Sequence, residues 1–349
     1  MNIDEKYMFR GIELGKNGLG TAAPNPMVGC VIVHKEKIIG EGYTSPYGGP
    51  HAEVNAINSV KDKSLLSQSS LYVTLEPCAH YGKTPPCVNH ILKHHIPKVI
   101  IGLKDPNKKV AGTSIRLLKE KGCEVLVGVL ENECREHHKR FLNFQEKRRP
   151  YIILKWAETL DGFVAPEEDQ REDKPQPYWI TNTYSKQLVH KWRAEEQAIL
   201  IGTTTALADN PKLTTRTWQG NNPIRIIIDK DLKVPTNFYV LDTSVKTIVI
   251  TTVEDKNAYK DGISYEVASF KNLPAEICTI LYKYDITSVL IEGGTKTLQS
   301  FIDNKFWDEA RVFKGYTNFS KGIRAPKITG KQISDNKLGN DQLIILRND

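Results

Sequence analysis

Apolar residues in the first half of the chain fall into short runs that alternate with amphipathic stretches. The spacing of Tyr7, Met8, Ile12 and Leu14 predicts a helix over residues 4–16. Apolar runs predict strands at residues 28–33, 38–42, 71–75, 98–102 and 124–127. Further helices are predicted at residues 51–60, 88–94, 113–121 and 132–144. Because strand and helix alternate, we expect an α/β fold with a mixed, largely parallel sheet and helices on both faces.

The second half begins after a basic segment, residues 146–150, which we take as the boundary between domains 1–146 and 150–349. Apolar runs predict strands at residues 151–157, 198–202, 224–229, 247–252 and 288–292. Helices are predicted at residues 181–193, with Thr181 as the N-cap, and at residues 296–303. The charged, proline-rich segment 166–177 is expected to form a loop.

The composition indicates a globular protein of 349 residues with two domains. Hydrophobic residues make up 40% of the chain, and no run approaches the ~20 apolar residues of a membrane span. Residues 1–6 lack the features of a signal peptide, and the six cysteines form no disulfide framework. We therefore expect a reducing, cytoplasmic location and no membrane partner. The net charge of +7 permits anionic small molecules or nucleic acid and requires neither.

The strongest chemical signal is one histidine and two later cysteines, each cysteine preceded by proline: His51, Cys78 and Cys87. Three such ligands leave a fourth tetrahedral position for water, which is typical of a catalytic zinc. Glu53 is placed to move the proton of that water without binding the metal. The order H-x-E … P-C … C is the signature of zinc nucleobase deaminases, although eight residues separate the cysteines where two are usual. Each residue alone fits a core thiol or a surface histidine equally well, and the joint pattern favours zinc.

Other candidate residues carry weaker signals. The turn at Gly293 and Gly294, between a strand and a helix, can bind phosphate on its N–H groups or serve structure alone. Arg193 and Arg216 are interpreted as isolated surface cations. Four histidines lie beside charged residues on predicted helices and are expected to be solvated: His94, His95, His137 and His138.

Both halves together resemble the bifunctional deaminase/reductases of bacterial riboflavin biosynthesis. The deaminase half carries PNPMVGC at 24–30, PHAE at 50–53, TLEPCAHYGKTPPC at 74–87 and DPN at 105–107. Of these, GKTPPC is highly specific for the family. The reductase half carries LDG at 160–162, WIT at 179–181, ALADNP at 206–211 and EGG at 292–294. The resemblance covers nearly the whole chain and implies a cytidine-deaminase-like three-layer domain followed by a dihydrofolate-reductase-like domain.

The resemblance also implies cofactors, activities and site residues. A zinc-dependent deamination of 2,5-diamino-6-(5-phosphoribosylamino)pyrimidin-4-one would be followed by an NADPH-dependent reduction of the ribosyl side chain to ribityl. The deaminase substrate would contact Asn25, His80, Lys83, Thr84, Asp105 and Asn107. NADPH would contact Glu158, Trp179, Thr205, Asp209, Gly294, Thr295, Lys296, Thr297, Leu298, Gln299 and Ser300. The reductase substrate and its phosphate would contact Arg193, Leu213, Arg216 and Glu292.

Two positions depart from the family pattern. Members commonly have a small or apolar residue at the position of Glu158 and a serine near Pro177, and the segment 166–177 is longer and more charged than expected. These departures fall in the reductase half, so a chain with one inactive half is one alternative.

Two further alternatives concern the whole chain. A nucleic-acid deaminase with an RNA-binding second half is permitted by the charge, but no run of aromatics is interleaved with Lys or Arg. A non-catalytic zinc-binding protein would not need Glu53. We therefore expect a small phosphorylated pyrimidine as substrate, no nucleic-acid partner, and a homo-oligomer whose size the sequence does not give.

Overall fold

The computed structural model describes residues 1–81, 85–106, 111–167 and 175–348, which divide into the units Met1–Arg148 and Arg149–Asp349. The helices of the first unit are α1 (Ile3–Gly15), α2 (Ala52–Ser59), α3 (Cys87–Lys93), α4 (Thr113–Glu120), α5 (Glu131–His137) and α6 (Lys139–Lys147). Its strands are β1 (Gly29–His34), β2 (Lys37–Tyr43), β3 (Ser70–Val73), β4 (Lys98–Ile101) and β5 (Glu124–Val127).

The strands of the first unit form one sheet in the order β2-β1-β3-β4-β5. Strand β1 pairs antiparallel with β2 and β3, whereas β3, β4 and β5 are parallel. The expected mixed sheet is confirmed, but it is less parallel than expected. The antiparallel pairs both involve β1, which forms the predicted hairpin with β2 through a short turn and also runs opposite to β3.

Helices cover both faces of this sheet, as predicted. Gly29 pairs with Tyr43 and Cys30 with Gly42, so Gly29 and Gly42 point to opposite faces. A Cβ atom on Gly29 would collide with the backbone of α1, and one on Gly42 would collide with the backbone of α2. The two glycines thus let helix backbones pack directly on the strands, and the start of α2 is held tightly against the sheet.

The expectation that His137 and His138 are solvated is wrong, because both side chains are buried. The predicted helix over 132–144 is broken at His138, which separates α5 from α6. His137 Nε2 donates to the Met27 carbonyl oxygen at 2.7 Å, and His138 Nε2 lies 3.0 Å from Thr74 Oγ1. Neutral imidazoles with such partners can be buried, and their charged sequence neighbours gave no sign of it.

The second unit contains four α-helices and eleven strands among its described residues. The helices are α7 (Thr183–Glu195), α8 (Thr203–Asp209), α9 (Leu273–Lys283) and α10 (Thr295–Asp303). The strands are β6 (Tyr151–Glu158), β7 (Phe163–Ala165), β8 (Ala198–Gly202), β9 (Ile224–Ile228), β10 (Thr247–Thr251), β11 (Ser264–Val267), β12 (Ser288–Gly293), β13 (Glu309–Lys314), β14 (Ile323–Arg324), β15 (Lys331–Leu338) and β16 (Asp341–Arg347).

Nine of these strands form one sheet in the order β11-β10-β9-β8-β12-β6-β13-β16-β15. The strands from β11 to β13 are parallel, and β16 and β15 extend the sheet by antiparallel pairing. Strands β8 and β10 are buried along their whole length, which explains their continuous apolar runs. Because β8 and β12 are parallel neighbours, the turns that follow them meet at one edge of the sheet.

The cap predicted for α7 is wrong by one residue. Asn182, not Thr181, is the N-cap, and its side-chain oxygen accepts a hydrogen bond from the backbone N–H of Ser185. Of the predicted loop at 166–177, residues 168–174 lie outside the described part of the chain. Among the described helices, none has the length and apolar character needed to cross a membrane.

Candidate active sites

Three candidate metal ligands meet beside the amino ends of α2 and α3. His51 is the residue before α2, Cys78 follows β3 by five residues, and Cys87 is the first residue of α3. His51 Nδ1 lies 3.5 Å from Cys78 Sγ and 3.3 Å from Cys87 Sγ. All three ligand atoms lie within 4.8 Å of one another. Ligand atoms on a tetrahedral zinc are separated by roughly 3.5 Å, so this donor set fits Zn²⁺.

The two cysteines form a coupled pair that favours one thiolate. The hydrogen bond from the Cys87 thiol, aided by His51, lowers the pKa of Cys78 to about 4 although burial opposes it. The same hydrogen bond raises the pKa of Cys87. The hydrogen bond with Cys78 also raises the pKa of His51. Metal binding would therefore release a proton from Cys87, because both sulfurs must be thiolates in the complex.

Glu53 lies in the first turn of α2 and is 3% exposed. Burial, together with the nearby charge of Cys78, raises its pKa to about 7. A carboxyl group poised near neutrality can both accept and return a proton, which is the property that a general acid–base residue needs. The cation would lower this pKa, since an opposite charge favours the carboxylate.

The residues expected to bind the deaminase substrate are described in part. Asn25 is half-buried in the turn before β1, where its backbone N–H donates to the Ala22 carbonyl oxygen. His80 is exposed two residues after Cys78, and Asp105 is half-buried after β4. Glu76 lies two residues before Cys78, in the turn that we call the metal-site turn. Its carboxylate accepts a hydrogen bond from the backbone N–H of Asp105 and so joins Asp105 to that turn. The remaining three predicted residues lie outside the described part of the chain: Lys83, Thr84 and Asn107.

In the second unit, two of the predicted substrate residues form a buried ion pair. Arg193 donates to both oxygens of Glu292, at 2.9 and 2.8 Å, and their side chains are 11% and 9% exposed. The interpretation of Arg193 as an isolated surface cation is therefore wrong. The two residues are 99 positions apart, so the pairing arises only when α7 packs beside β12. Lys155 joins the pair, with its Nζ 3.7 Å from a Glu292 oxygen.

The segment after α8 brings Leu213 and Arg216 to the same cluster. The Thr214 carbonyl oxygen accepts from Arg193 at 3.3 Å, and Thr214 Oγ1 accepts from the exposed Arg216 at 3.1 Å. Leu213 is buried with a φ of 54°. The backbone N–H of Arg216 donates to His190 Nδ1 at 3.2 Å, so His190 acts as an acceptor there. Arg193, Glu292 and Arg216 thus lie in one hydrogen-bonded group, and Leu213 precedes Thr214, a member of that group, in the chain.

Electrostatics fixes the charges of this group. Burial would raise the pKa of Glu292, but Arg193 and Lys155 outweigh it and hold the pKa at about 2. Burial lowers the pKa of Lys155. Burial and then the cations Arg193 and Arg216 lower the pKa of His190 to about 4. The group therefore contains a carboxylate and a neutral imidazole near pH 7.

The predicted cofactor turn lies where β12 gives way to α10. Gly294 is the N-cap of α10, and the helix begins at Thr295 and continues through Lys296, Thr297, Leu298, Gln299 and Ser300. A Cβ atom on Gly294 would lie 3.0 Å from Thr205 Oγ1, and one on Gly202 would lie 2.7 Å from Thr297 Oγ1. The first turns of α8 and α10 therefore lie side by side. Bare backbone N–H groups at such a turn fit the pyrophosphate of a dinucleotide.

Three other predicted cofactor residues have different surroundings. Glu158 ends β6, accepts from Trp156 Nε1 at 2.9 Å and lies 3.7 Å from Lys314 Nζ. Trp179 is 60% exposed, with Lys186 Nζ 3.9 Å above its ring. Asp209 is the last residue of α8 and is half-buried. The partners of Glu158 explain how a charged residue is tolerated where an apolar one is common.

Comparison with known proteins identifies the family. The model of the cytidine and deoxycytidylate deaminase zinc-binding region matches residues 1–103, and that of the RibD C-terminal domain matches residues 150–316. The riboflavin biosynthesis protein RibD of Aquifex aeolicus is 39% identical over 342 residues, which cover 97% of this chain and 91% of that protein. The chain belongs to the RibD family. The RibD protein of Bacillus amyloliquefaciens is likewise 39% identical, over 89% of this chain and 84% of its own.

Solved structures agree with membership of the RibD family over the whole chain. A diaminohydroxyphosphoribosylaminopyrimidine deaminase/5-amino-6-(5-phosphoribosylamino)uracil reductase from Thermotoga maritima is 36% identical with a TM-score of 0.89, covering 99% of both chains. A RibD structure from Acinetobacter baumannii is 31% identical with the same TM-score and coverage. The fold class expected from the sequence is thus confirmed, as is the resemblance to this family.

Three residues of these sites were missed by sequence reasoning: Glu76, Lys155 and His190. Lys155 interrupts the otherwise apolar run 151–157 of strand β6, and a lysine in such a run was a usable signal. His190 lies three positions before Arg193 on α7, a spacing that puts both on one helix face. Glu76 is adjacent to the Cys78 turn, but its partners lie 29 to 38 positions away.

Proposed function

We propose that this member of the RibD family is a bifunctional enzyme of riboflavin biosynthesis. Residues 1–146 would hydrolytically deaminate 2,5-diamino-6-(5-phosphoribosylamino)pyrimidin-4-one. Residues 150–349 would then reduce the ribosyl side chain of the product to ribityl with NADPH. The observation that carries the proposal is the convergence of His51, Cys78 and Cys87 beside the buried carboxyl group of Glu53.

Deamination requires a nucleophile and a proton carrier. His51 Nδ1 and the two cysteine sulfurs would hold Zn²⁺, which would supply a Lewis acid that lowers the pKa of the attacking water toward ~7. Glu53 takes the proton of that water as the oxygen attacks the ring carbon that bears the exocyclic amine. It then delivers a proton to the amine nitrogen, the carbon–nitrogen bond breaks and ammonia leaves. Burial of Glu53 excludes bulk water from this transfer.

The substrate of this first site would be held by residues around its mouth. We assign substrate contacts to Asn25, His80 and Asp105, together with the three residues outside the described part of the chain: Lys83, Thr84 and Asn107. The phosphate and ribose hydroxyl groups of the substrate call for hydrogen-bonding and cationic side chains of this kind.

Reduction requires the cofactor and the sugar to be aligned. NADPH supplies the hydride, and the protein supplies binding and orientation. The N–H groups at the start of α10 and the hydroxyl of Thr205 would hold the cofactor phosphates, with Trp179 and Asp209 as further contacts. The exposed Arg216 is the better candidate for the substrate phosphate, because Glu292 already balances the charge of Arg193. Glu292 and Leu213 would contact the ribosyl group of the substrate.

The proposal is tested by a coupled assay that follows ammonia and NADPH separately. The purified chain, the pyrimidinone phosphate and NADPH should give ammonia release and then NADPH oxidation. Supplying the deaminated compound directly should give NADPH oxidation without ammonia. Ammonia release without NADPH oxidation would overturn the reductase half of the proposal. If a zinc-loaded chain gave neither ammonia nor NADPH oxidation, both halves would be overturned.

Two further expectations about the chain remain predictions. A cytoplasmic location fits two cysteine ligands, because the site requires reduced thiols. A homo-oligomer is expected, and sedimentation equilibrium of the purified chain would measure its size. A monomer at micromolar concentration would contradict the expectation.

A further inference from the structure

Glu76 lies between β3 and the metal ligand Cys78 and is 6% exposed. Its backbone N–H donates to the Leu103 carbonyl oxygen at 2.8 Å. Its carboxylate accepts three further hydrogen bonds: from the backbone N–H of Asp105 at 3.1 Å, from that of Gly112 at 3.1 Å, and from Ser114 Oγ at 2.6 Å. One side chain therefore ties the metal-site turn to both the Asp105 segment and the start of α4.

The charge of Glu76 suits this position. Gly112 is the N-cap of α4, and Ser114 lies in its first turn, where the helix dipole favours a negative group. Both N–H donors share one carboxylate oxygen, and the Ser114 hydroxyl meets the other. Since a carboxylate is an acceptor on both oxygens, all three donors are satisfied at once.

We infer that Glu76 is a positioning residue of the deaminase site, which holds Asp105 against the Cys78 turn so that Asp105 can bind the pyrimidine substrate. The inference rests on the proposed deaminase function. It predicts that loss of the Glu76 carboxylate impairs substrate binding while the metal ligands and Glu53 keep their places.

Three substitutions of Glu76 separate the effect of its side-chain length from the effect of its charge. In Glu76→Gln the amide oxygen can still accept both N–H groups, and the amide NH₂ can donate to the Ser114 hydroxyl, which rotates to accept it. This variant should stay near wild type. Glu76→Asp keeps the charge but is one methylene too short to reach the donors. Glu76→Ala removes the acceptor altogether.

The measurement is the kcat and KM of ammonia release, with zinc content and thermal unfolding of each variant. Glu76→Ala and Glu76→Asp should raise KM by about 10- to 100-fold through displacement of Asp105, with kcat and zinc content close to wild type. An unchanged KM, or an equal effect of Glu76→Gln and Glu76→Asp, would overturn the role. A loss of bound zinc that parallels the loss of activity would also overturn the positioning role, because Glu76 would then support only the metal-site turn.

A double-mutant cycle tests whether Glu76 acts through Asp105. In an Asp105→Ala background, Glu76→Asp should add little to the KM, because the group that it positions is already absent. Additive effects would contradict the inference. If Glu76→Ala does not fold, the difference in KM between Glu76→Asp and Glu76→Gln tests the positioning role. A wild-type chain that releases no ammonia would instead overturn the proposed function.

Discussion

The buried ion pair of the second unit permits a quantitative test. Glu292→Gln keeps the size of the side chain but leaves Arg193 and Lys155 without a balancing charge. These cations hold the pKa of Glu292 at about 2, against an ordinary 4.5. That difference corresponds to about 3 kcal/mol of folding free energy at neutral pH. Removing one partner of a buried ion pair costs about 3–5 kcal/mol in general, so the two magnitudes agree.

Tryptophan fluorescence during urea unfolding measures this loss in the second unit alone. All five tryptophans of the chain lie in that unit: Trp156, Trp179, Trp192, Trp218 and Trp307. A loss of about 3 kcal/mol should also lower the melting temperature of a domain of this size by roughly 6–12 °C. Asp231→Asn is the matched control, because Asp231 pairs with Lys233 at 3.1 Å in an exposed site and should cost under about 1 kcal/mol.

The pH dependence of the stability tests the direction of the Glu292 contribution. Since the folded-state pKa of Glu292 lies below its ordinary value, its stabilisation is complete above about pH 4.5 and is lost as the pH falls toward about 2. The difference between Glu292→Gln and wild type should shrink across that window. A midpoint shift for Glu292→Gln no larger than that of Asp231→Asn would refute the reasoning.

Three other predictions concern the first unit. Glu53→Gln should keep wild-type zinc but slow ammonia release by about 10²–10⁴-fold, since an amide cannot carry the proton; retained turnover contradicts that role. Cys87→Ser should lower bound zinc by mass spectrometry, whereas Cys123→Ser, a matched buried thiol, should not; equal losses count against the metal site. Burial holds the pKa of His137 at about 4, so the unfolded state binds more protons below pH 6.5. In unfolding followed by circular dichroism, the wild type should lose about 3 kcal/mol more than His137→Gln as the pH falls toward 4. Equal losses in the two proteins would be the contrary result.

Local signals explain which elements could be predicted. The capping box of Asn2 and Glu5 and the apolar spacing after it mark α1, and continuous apolar runs mark the buried strands. Strand β15 was not predicted, because it is a largely exposed strand of polar residues that pairs only with β16 among the described strands. Its structure depends on that partner and not on its own pattern.

The sequence by itself predicted the candidate metal ligands and the proposed general base, and it identified the family. His51, Glu53, Cys78 and Cys87 are recognisable because the chemistry needs those residue types in that order, and short elements fix each one. The tertiary structure alone decided the pairing of Arg193 with Glu292 and the burial of His137 and His138. These contacts join residues as many as 110 positions apart, and packing of separate elements, which no local pattern encodes, creates them.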